Sequence, residues 1–128
     1  MDETLDILKA LGDRNRLRIV LALADHAELC ACQITELLGV RGATASRHLG
    51  QLTRAGLLTS RRDGRWIHYR LCEEFAASAP LAWLDRATAD DPARADDRAR
   101  LAGILAIAPV ELCRRQRGPD CCPAERPA

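Results

Sequence analysis

Long apolar runs are missing from this 128-residue chain. No window approaches the roughly 18 apolar residues of a membrane span, and the acids that follow Met1 leave no apolar h-region of the kind a signal peptide needs. Those absences predict a cytoplasmic protein with no membrane partner. Aromatics are scarce, with one Phe, one Tyr and two Trp, so the core has to be built from Leu and Ala, both strong helix formers. Lysine is nearly absent: Lys9 stands alone among 19 basic residues, which leaves guanidinium forks suited to bidentate contacts with phosphate or guanine. Internal repeats are lacking as well. Six cysteines without an export signal point to free thiols, catalytic groups or metal ligands rather than disulfides.

The length fits one compact domain that buries roughly two thirds of its unfolded surface. A net charge of +1 conceals an uneven distribution. Between positions 41 and 70 lie Arg41, Arg47, Arg54, Arg61, Arg62, Arg65 and Arg70 against the single acid Asp63, whereas residues 1–40 hold seven acids against four basic residues. A basic middle on a near-neutral body predicts a polyanionic partner.

Leu5, Leu8 and Leu11, with Ile7 beside them, mark a short amphipathic helix ended by Gly12. Asp13 reads as the N-cap of the next helix, whose buried stripe is Leu17, Val20, Leu21 and Ala24; Arg14, Arg16 and Arg18 are expected on its solvated side. A helix from about Cys32 to Leu38 stops at Gly39, and after Gly39-Val40-Arg41-Gly42 a further helix runs from about Ala43 to Ala55. Two short helices around a glycine-containing turn form a helix-turn-helix pattern. On the second, Ala45, Leu49 and Leu52 share a core sector. Arg47 and Arg54, flanked by Thr44 and Gln51, face the other way, with Ser46 and His48 at the edges. Such a face can read base edges and phosphates.

Two strand-like runs follow, Leu57–Arg62 and Arg65–Leu71, joined by Asp63-Gly64, a strong hairpin signal that sets Arg62 and Arg65 on either side of its tip. A basic β-wing directly after a recognition helix predicts a winged helix-turn-helix: mainly α with a β-hairpin wing. Beyond Leu71, Pro80 opens a helix carrying Leu81, Trp83 and Leu84. Asp91 caps another with the stripe Leu101, Ile104, Leu105 and Ala108. This region and the first helix form the candidate dimer interface of a domain spanning residues 1–108. Residues 109–128 read as an irregular tail carrying Cys113, Cys121 and Cys122.

Cys30 and Cys32 lie about 200° apart on a regular helix, so they can grip one ion only if Cys30 sits ahead of the helix start. That position also favours the thiolate, through the helix dipole and the free N–H groups. Neither a C-x2-C pair nor a His pair completes a zinc site around them, and two thiolates instead favour a soft ion that takes one further sulfur, from Cys113, Cys121 or Cys122. Cys72 reads as a small buried residue.

The segments LKALGDRNRLRIV, ELCACQI, SRHLGQLTRAGLL and RRDGRWIHYRL, spread from Leu8 to Leu71, resemble the arsenical-resistance repressors of the ArsR/SmtB family. That resemblance implies a homodimeric winged-helix repressor that holds double-stranded operator DNA and leaves it when As(III) or Sb(III) coordinates cysteines. Cys30 and Cys32 match the first two cysteines of the family's E-L-C-x-C-x-x-C motif, whereas Thr35 stands at the third. Some relatives bind arsenic through C-terminal cysteines, a pattern that Cys121 and Cys122 resemble. Ser46, Arg47 and His48 match the S-R-H of the family's recognition helix. A thiol-based redox or persulfide sensor of the same fold is the alternative. An enzyme such as a dithiol oxidoreductase is not expected, because no anion-cradling loop and no redox C-x-x-C is present.

Overall fold

Capping residues divide the chain into its helices. In the computed structural model, which describes residues 1–117, α1 (Asp2–Leu11) ends at Gly12 and the Asp13 carboxylate accepts from the Arg16 N–H at 3.0 Å to open α2 (Arg14–Asp25). A two-residue strand, β1 (Leu29–Cys30), leads into α3 (Ala31–Leu38). Gly39 ends α3 in the left-handed region at φ +67°, which glycine adopts without steric cost. After Val40 and Arg41, α4 (Gly42–Arg54) completes the helix-turn-helix, one residue earlier than the sequence pattern set it.

The wing consists of β2 (Leu58–Asp63) and β3 (Trp66–Leu71). Asp63 pairs with Trp66, so the two-residue loop is Gly64-Arg65 rather than Asp63-Gly64. Gly64 takes φ +63° and Arg65 a negative φ, the pattern of a type II′ turn. Arg65 therefore sits in the loop itself. On the other edge of β3, β1 adds a third strand, with Leu29 opposite Tyr69 and Cys30 opposite His68. This strand was not legible in the periodicity, since two residues carry none.

The C-terminal half is helical: α5 (Glu73–Ala76), α6 (Ala79–Ala87), α7 (Pro92–Leu105) and α8 (Pro109–Arg117). Ser78 and Asp91 cap α6 and α7, accepting from Leu81 N–H at 3.4 Å and Ala93 N–H at 2.9 Å. Residues 109–117 are thus not an irregular tail. They form a helix that packs against α3, with Leu112 fully buried, and the described body reaches Arg117. The Arg, Gly and Pro content of residues 109–128 suggests an irregular segment, yet Pro109 lies in the first turn of α8, where its missing N–H costs nothing.

The core joins α2, α3, α4 and β1 around Ile19, Leu29, Ile34, Leu37, Leu49 and Leu52. On α2 Val20 and Leu21 are buried as expected, but the buried face takes in Ile19 and Leu23 while Ala24 is exposed and Leu17 half-buried. Trp83 is 61% exposed instead of packed, and Leu105 and Ala108 are also exposed, so Leu81, Leu101 and Ile104, with half-buried Leu84 against them, carry their helices into the core. Arg16 and Arg18 are not solvated. Arg18 pairs with Asp97 at 2.9 Å and donates to Leu37 O at 3.0 Å, tying α2 to α7 and to the end of α3. Arg94, 5% exposed, sits between Asp25 and Asp85, at 3.4 and 2.6 Å.

Candidate nucleic-acid interface and thiol site

The core sector of α4 is as expected: Ala45, Leu49 and Leu52 are buried and hold the helix against α2 and α3. Its other face carries exposed Ser46, Arg47 and Arg54, with Thr44 half-buried. Two expected readers are engaged elsewhere. Arg16 donates to Gln51 Oε1 at 2.7 Å and lies 3.4 Å from His48 Nδ1, while its Nε donates to Ala10 O at 2.7 Å. His48 is 7% exposed and also lies 3.9 Å from Asp13. One arginine thereby staples α1, α2 and α4, and it uses His48 and Gln51 to do so.

In the wing, Arg61 forms a bidentate pair with Glu28 at 2.9 and 2.6 Å, but Arg62 and Arg65 are exposed and have no acidic partner among the described residues. The same holds for Arg41, Arg47, Arg54 and Arg117. Arg41 is the N-cap residue of α4, and Arg117, at the end of α8, brings its guanidinium within 3.8 Å of the space beside Gly42. Neither was singled out from the sequence. Arg41 lay in an apparent turn and Arg117 in an apparent tail.

The thiols meet at the entrance to α3. Cys30 is the N-cap, in extended backbone at φ −81° and ψ 159°, and forms a reciprocal capping box with Gln33, whose side chain accepts from Cys30 N–H at 2.9 Å. Placing Cys30 ahead of the helix removes the 200° conflict, and its Sγ lies 2.7 Å from that of Cys32. Both are buried. The hydrogen bond from Cys32 lowers the Cys30 thiol pKa to about 7 against the opposing effect of burial, and backbone N–H groups of Gln33 and Cys32 add to the lowering. The same bond, burial and the nearby Cys30 and Cys113 sulfurs push Cys32 strongly upward. Of the pair, Cys30 is the thiol whose ionisation the site favours and Cys32 the one whose ionisation it opposes.

Cys113 is 5% exposed on α8 and faces a cavity of about 420 Å³ together with Cys32. Thr35, Trp66 and Tyr69 line the same cavity, and so do Ser46 and Arg65 from the reading helix and wing. Gln116 holds α8 there by donating to Cys32 O at 2.9 Å and Glu36 Oε1 at 3.2 Å. The Thr35 hydroxyl is buried and donates to Ala31 O at 2.7 Å. Cys72 is half-buried, at the start of α5. Cys121 and Cys122 lie outside the described residues. Among the described residues no group of three or more His, Cys, Asp or Glu stands in a metal-ligating arrangement.

A reading helix with an outward polar face, followed by an arginine-tipped hairpin, defines the winged helix-turn-helix class. Residues 13–60 match the family model described as bacterial regulatory protein, arsR family. A solved homodimeric winged helix-turn-helix DNA-binding domain from Mycobacterium bovis, a possible ArsR-family transcriptional regulator, is 30% identical, with a TM-score of 0.61 over 70% of this chain and 81% of that one. The chain belongs to the arsR family. It is 44% identical over 68 residues to the arsenic resistance transcriptional regulator ArsR1 of Pseudomonas putida, and 41% identical over 75 residues to the arsenical resistance operon repressor of Escherichia coli K12. Those stretches are 53% and 59% of this chain and 53% and 64% of the two relatives, so the chain spans between half and two thirds of their length.

Proposed function

We propose that this chain is a cytoplasmic DNA-binding repressor of an arsenic-resistance operon, acting as a homodimer and released when As(III) or Sb(III) binds Cys30, Cys32 and a third thiolate from Cys113. The observation that carries the reading is the shared cavity: Cys32 and Cys113 line it on one side, and Ser46 and Arg65 of the DNA-facing surface line it on another. Soft sulfur donors suit these ions, and the lowered pKa of the Cys30 thiol, about 7, eases formation of the first thiolate ligand. Drawing Cys113 toward Cys30 and Cys32 moves α8 and the start of α3, and the ring of residues around the cavity shifts the reading helix and wing relative to each other.

Thr44, Ser46, Arg47, Arg54, Arg62 and Arg65 are the DNA contacts in this reading, whereas His48 and Gln51 support the helix from behind. Exposed Leu5, Leu8 and Trp83 support dimerisation through α1 and α6. A dimer sets two reading helices about 34–36 Å apart on a pseudo-palindromic site. A coupling of about 1–3 kcal/mol changes DNA affinity about 5- to 150-fold. The test is a DNA-binding titration with and without arsenite, using a duplex that carries the sequence upstream of this chain's own gene. Wild type loses affinity with arsenite, and Cys30→Ser and Cys32→Ser bind DNA but ignore arsenite. Arsenite-insensitive wild-type binding sinks the reading.

The 2.7 Å approach of Cys30 and Cys32 also supports a second reading, in which an oxidant such as peroxide takes two electrons from the pair and closes a disulfide at the α3 entrance. Peroxide-dependent release without any response to arsenite would select it. In neither reading is the chain a catalyst.

A further inference from the structure

We propose that Arg117 is a DNA-backbone contact, which makes α8 part of the DNA interface as well as a wall of the thiol cavity. The inference rests on the DNA-binding reading above and adds an element that lies outside the matched family segment, residues 13–60. Arg117 stands in the last turn of α8, exposed, with its guanidinium within 3.8 Å of the space beside Gly42, the first residue of α4. It lines the same cavity as Ser46 and Arg65. Arg41 adds a further exposed cation at the N-cap of α4. Three arginines from three elements therefore converge where the reading helix begins, and none has an acidic partner among the described residues.

Several other arginines are spent on the protein. Arg18, Arg61, Arg94, Arg98 and Arg115 are all in ion pairs. The contrast within α8 is informative, because Arg115 folds back onto Glu111 at 3.2 Å while Arg117 projects to α4. An uncompensated guanidinium beside the start of a reading helix has charge complementary to a DNA phosphate, and it is continuous with the surface of Ser46, Arg47 and Arg65.

The placement also links the two functions. Cys113 and Arg117 are four residues apart on one helix, hence on one face. Any movement of α8 that carries Cys113 toward Cys32 carries Arg117 with it, so an ion bound at the sulfurs removes a phosphate contact directly.

The test measures how affinity for two duplexes varies with salt, one carrying the sequence upstream of this chain's gene and one a scramble of the same composition. Each phosphate contact contributes about 0.9 to the slope of log affinity against log salt. Arg117→Gln is expected to lower that slope by about 0.9 per subunit on both duplexes, while Arg115→Gln leaves it nearly unchanged and both variants keep the wild-type melting temperature. A slope unchanged in Arg117→Gln, or lowered equally in Arg115→Gln, overturns the inference while the DNA-binding reading stands. Failure of wild type to bind either duplex overturns both.

Discussion

Replacing Thr35 by cysteine in a chain that lacks Cys113 tests where the third sulfur comes from. Thr35 follows Cys32 by three residues on α3 and shares the cavity with it, so a sulfur there joins the Cys30 and Cys32 pair without help from α8. The cost in stability is small. The Thr35 hydroxyl donates to Ala31 O at 2.7 Å, and that carbonyl keeps its place in the helix when the hydroxyl goes. One such bond is worth about 0.5–1.5 kcal/mol net, and a buried thiol recovers part of it. For a domain of this size that is a fall of about 2–5 °C in Tm. Arsenite-induced release from DNA is the assay, run on wild type, Cys113→Ser, Thr35→Cys and the double variant. Cys113→Ser loses release; the double variant regains it, within the roughly 5- to 150-fold range of a coupling of this kind. Normal release in Cys113→Ser refutes the assignment of the third ligand. A double variant that folds, binds DNA and still ignores arsenite refutes the idea that a local third sulfur suffices.

Leu112 is fully buried, so Leu112→Ala should cost about 2–5 kcal/mol in chemical denaturation, whereas a loosely attached tail would cost nothing. Arg16→Ala should lower stability by about 2–3 kcal/mol through the lost bonds to Ala10, Lys9 and Gln51, and leave the salt slope of DNA binding unchanged if Arg16 is structural. Asp25 is held below the usual carboxylate range, chiefly by its hydrogen bond from Arg98 and then by the Arg94 charge. Its contribution is therefore present above the unfolded carboxylate pKa and lost as pH falls through the lower folded value; the stability gap between wild type and Asp25→Asn should close on acidification, as followed by urea melts. Cys32→Ala removes the donor that stabilises the Cys30 thiolate, so the ultraviolet thiolate titration with a midpoint of about 7 should move upward. An unmoved midpoint would assign it to another cysteine.

The helix-turn-helix, its core residues and the wing were legible because each carries a periodic pattern bounded by a cap: Asp13, Gly39 and Asp91 all do what their chemistry suggests. The position of Cys30 at the helix entrance meets the condition under which both thiols can face one ion. Tertiary partners decided the rest. Arg16 and Arg18 look solvated in one dimension because Gln51 and Asp97 lie 35 and 79 residues away. The β1 strand exists because β3 offers it an edge, and a two-residue strand has no signature of its own. In the last segment, composition suggests irregular structure, while the spacing of Leu112, Cys113 and Gln116 matches a helix face that only α3 reveals. Trp83 shows the converse, an apolar residue on a helical stripe that the monomer leaves 61% exposed.

Reciprocity supplies the most direct measurement. If arsenite weakens DNA binding through the shared cavity, saturating DNA must weaken arsenite binding by the same factor, because both report one coupling free energy. Titrating arsenite into the free protein and into the DNA complex should give dissociation constants that differ by the factor by which arsenite lowers DNA affinity. Equal constants in the two titrations would contradict any coupling between the thiols and the reading helix.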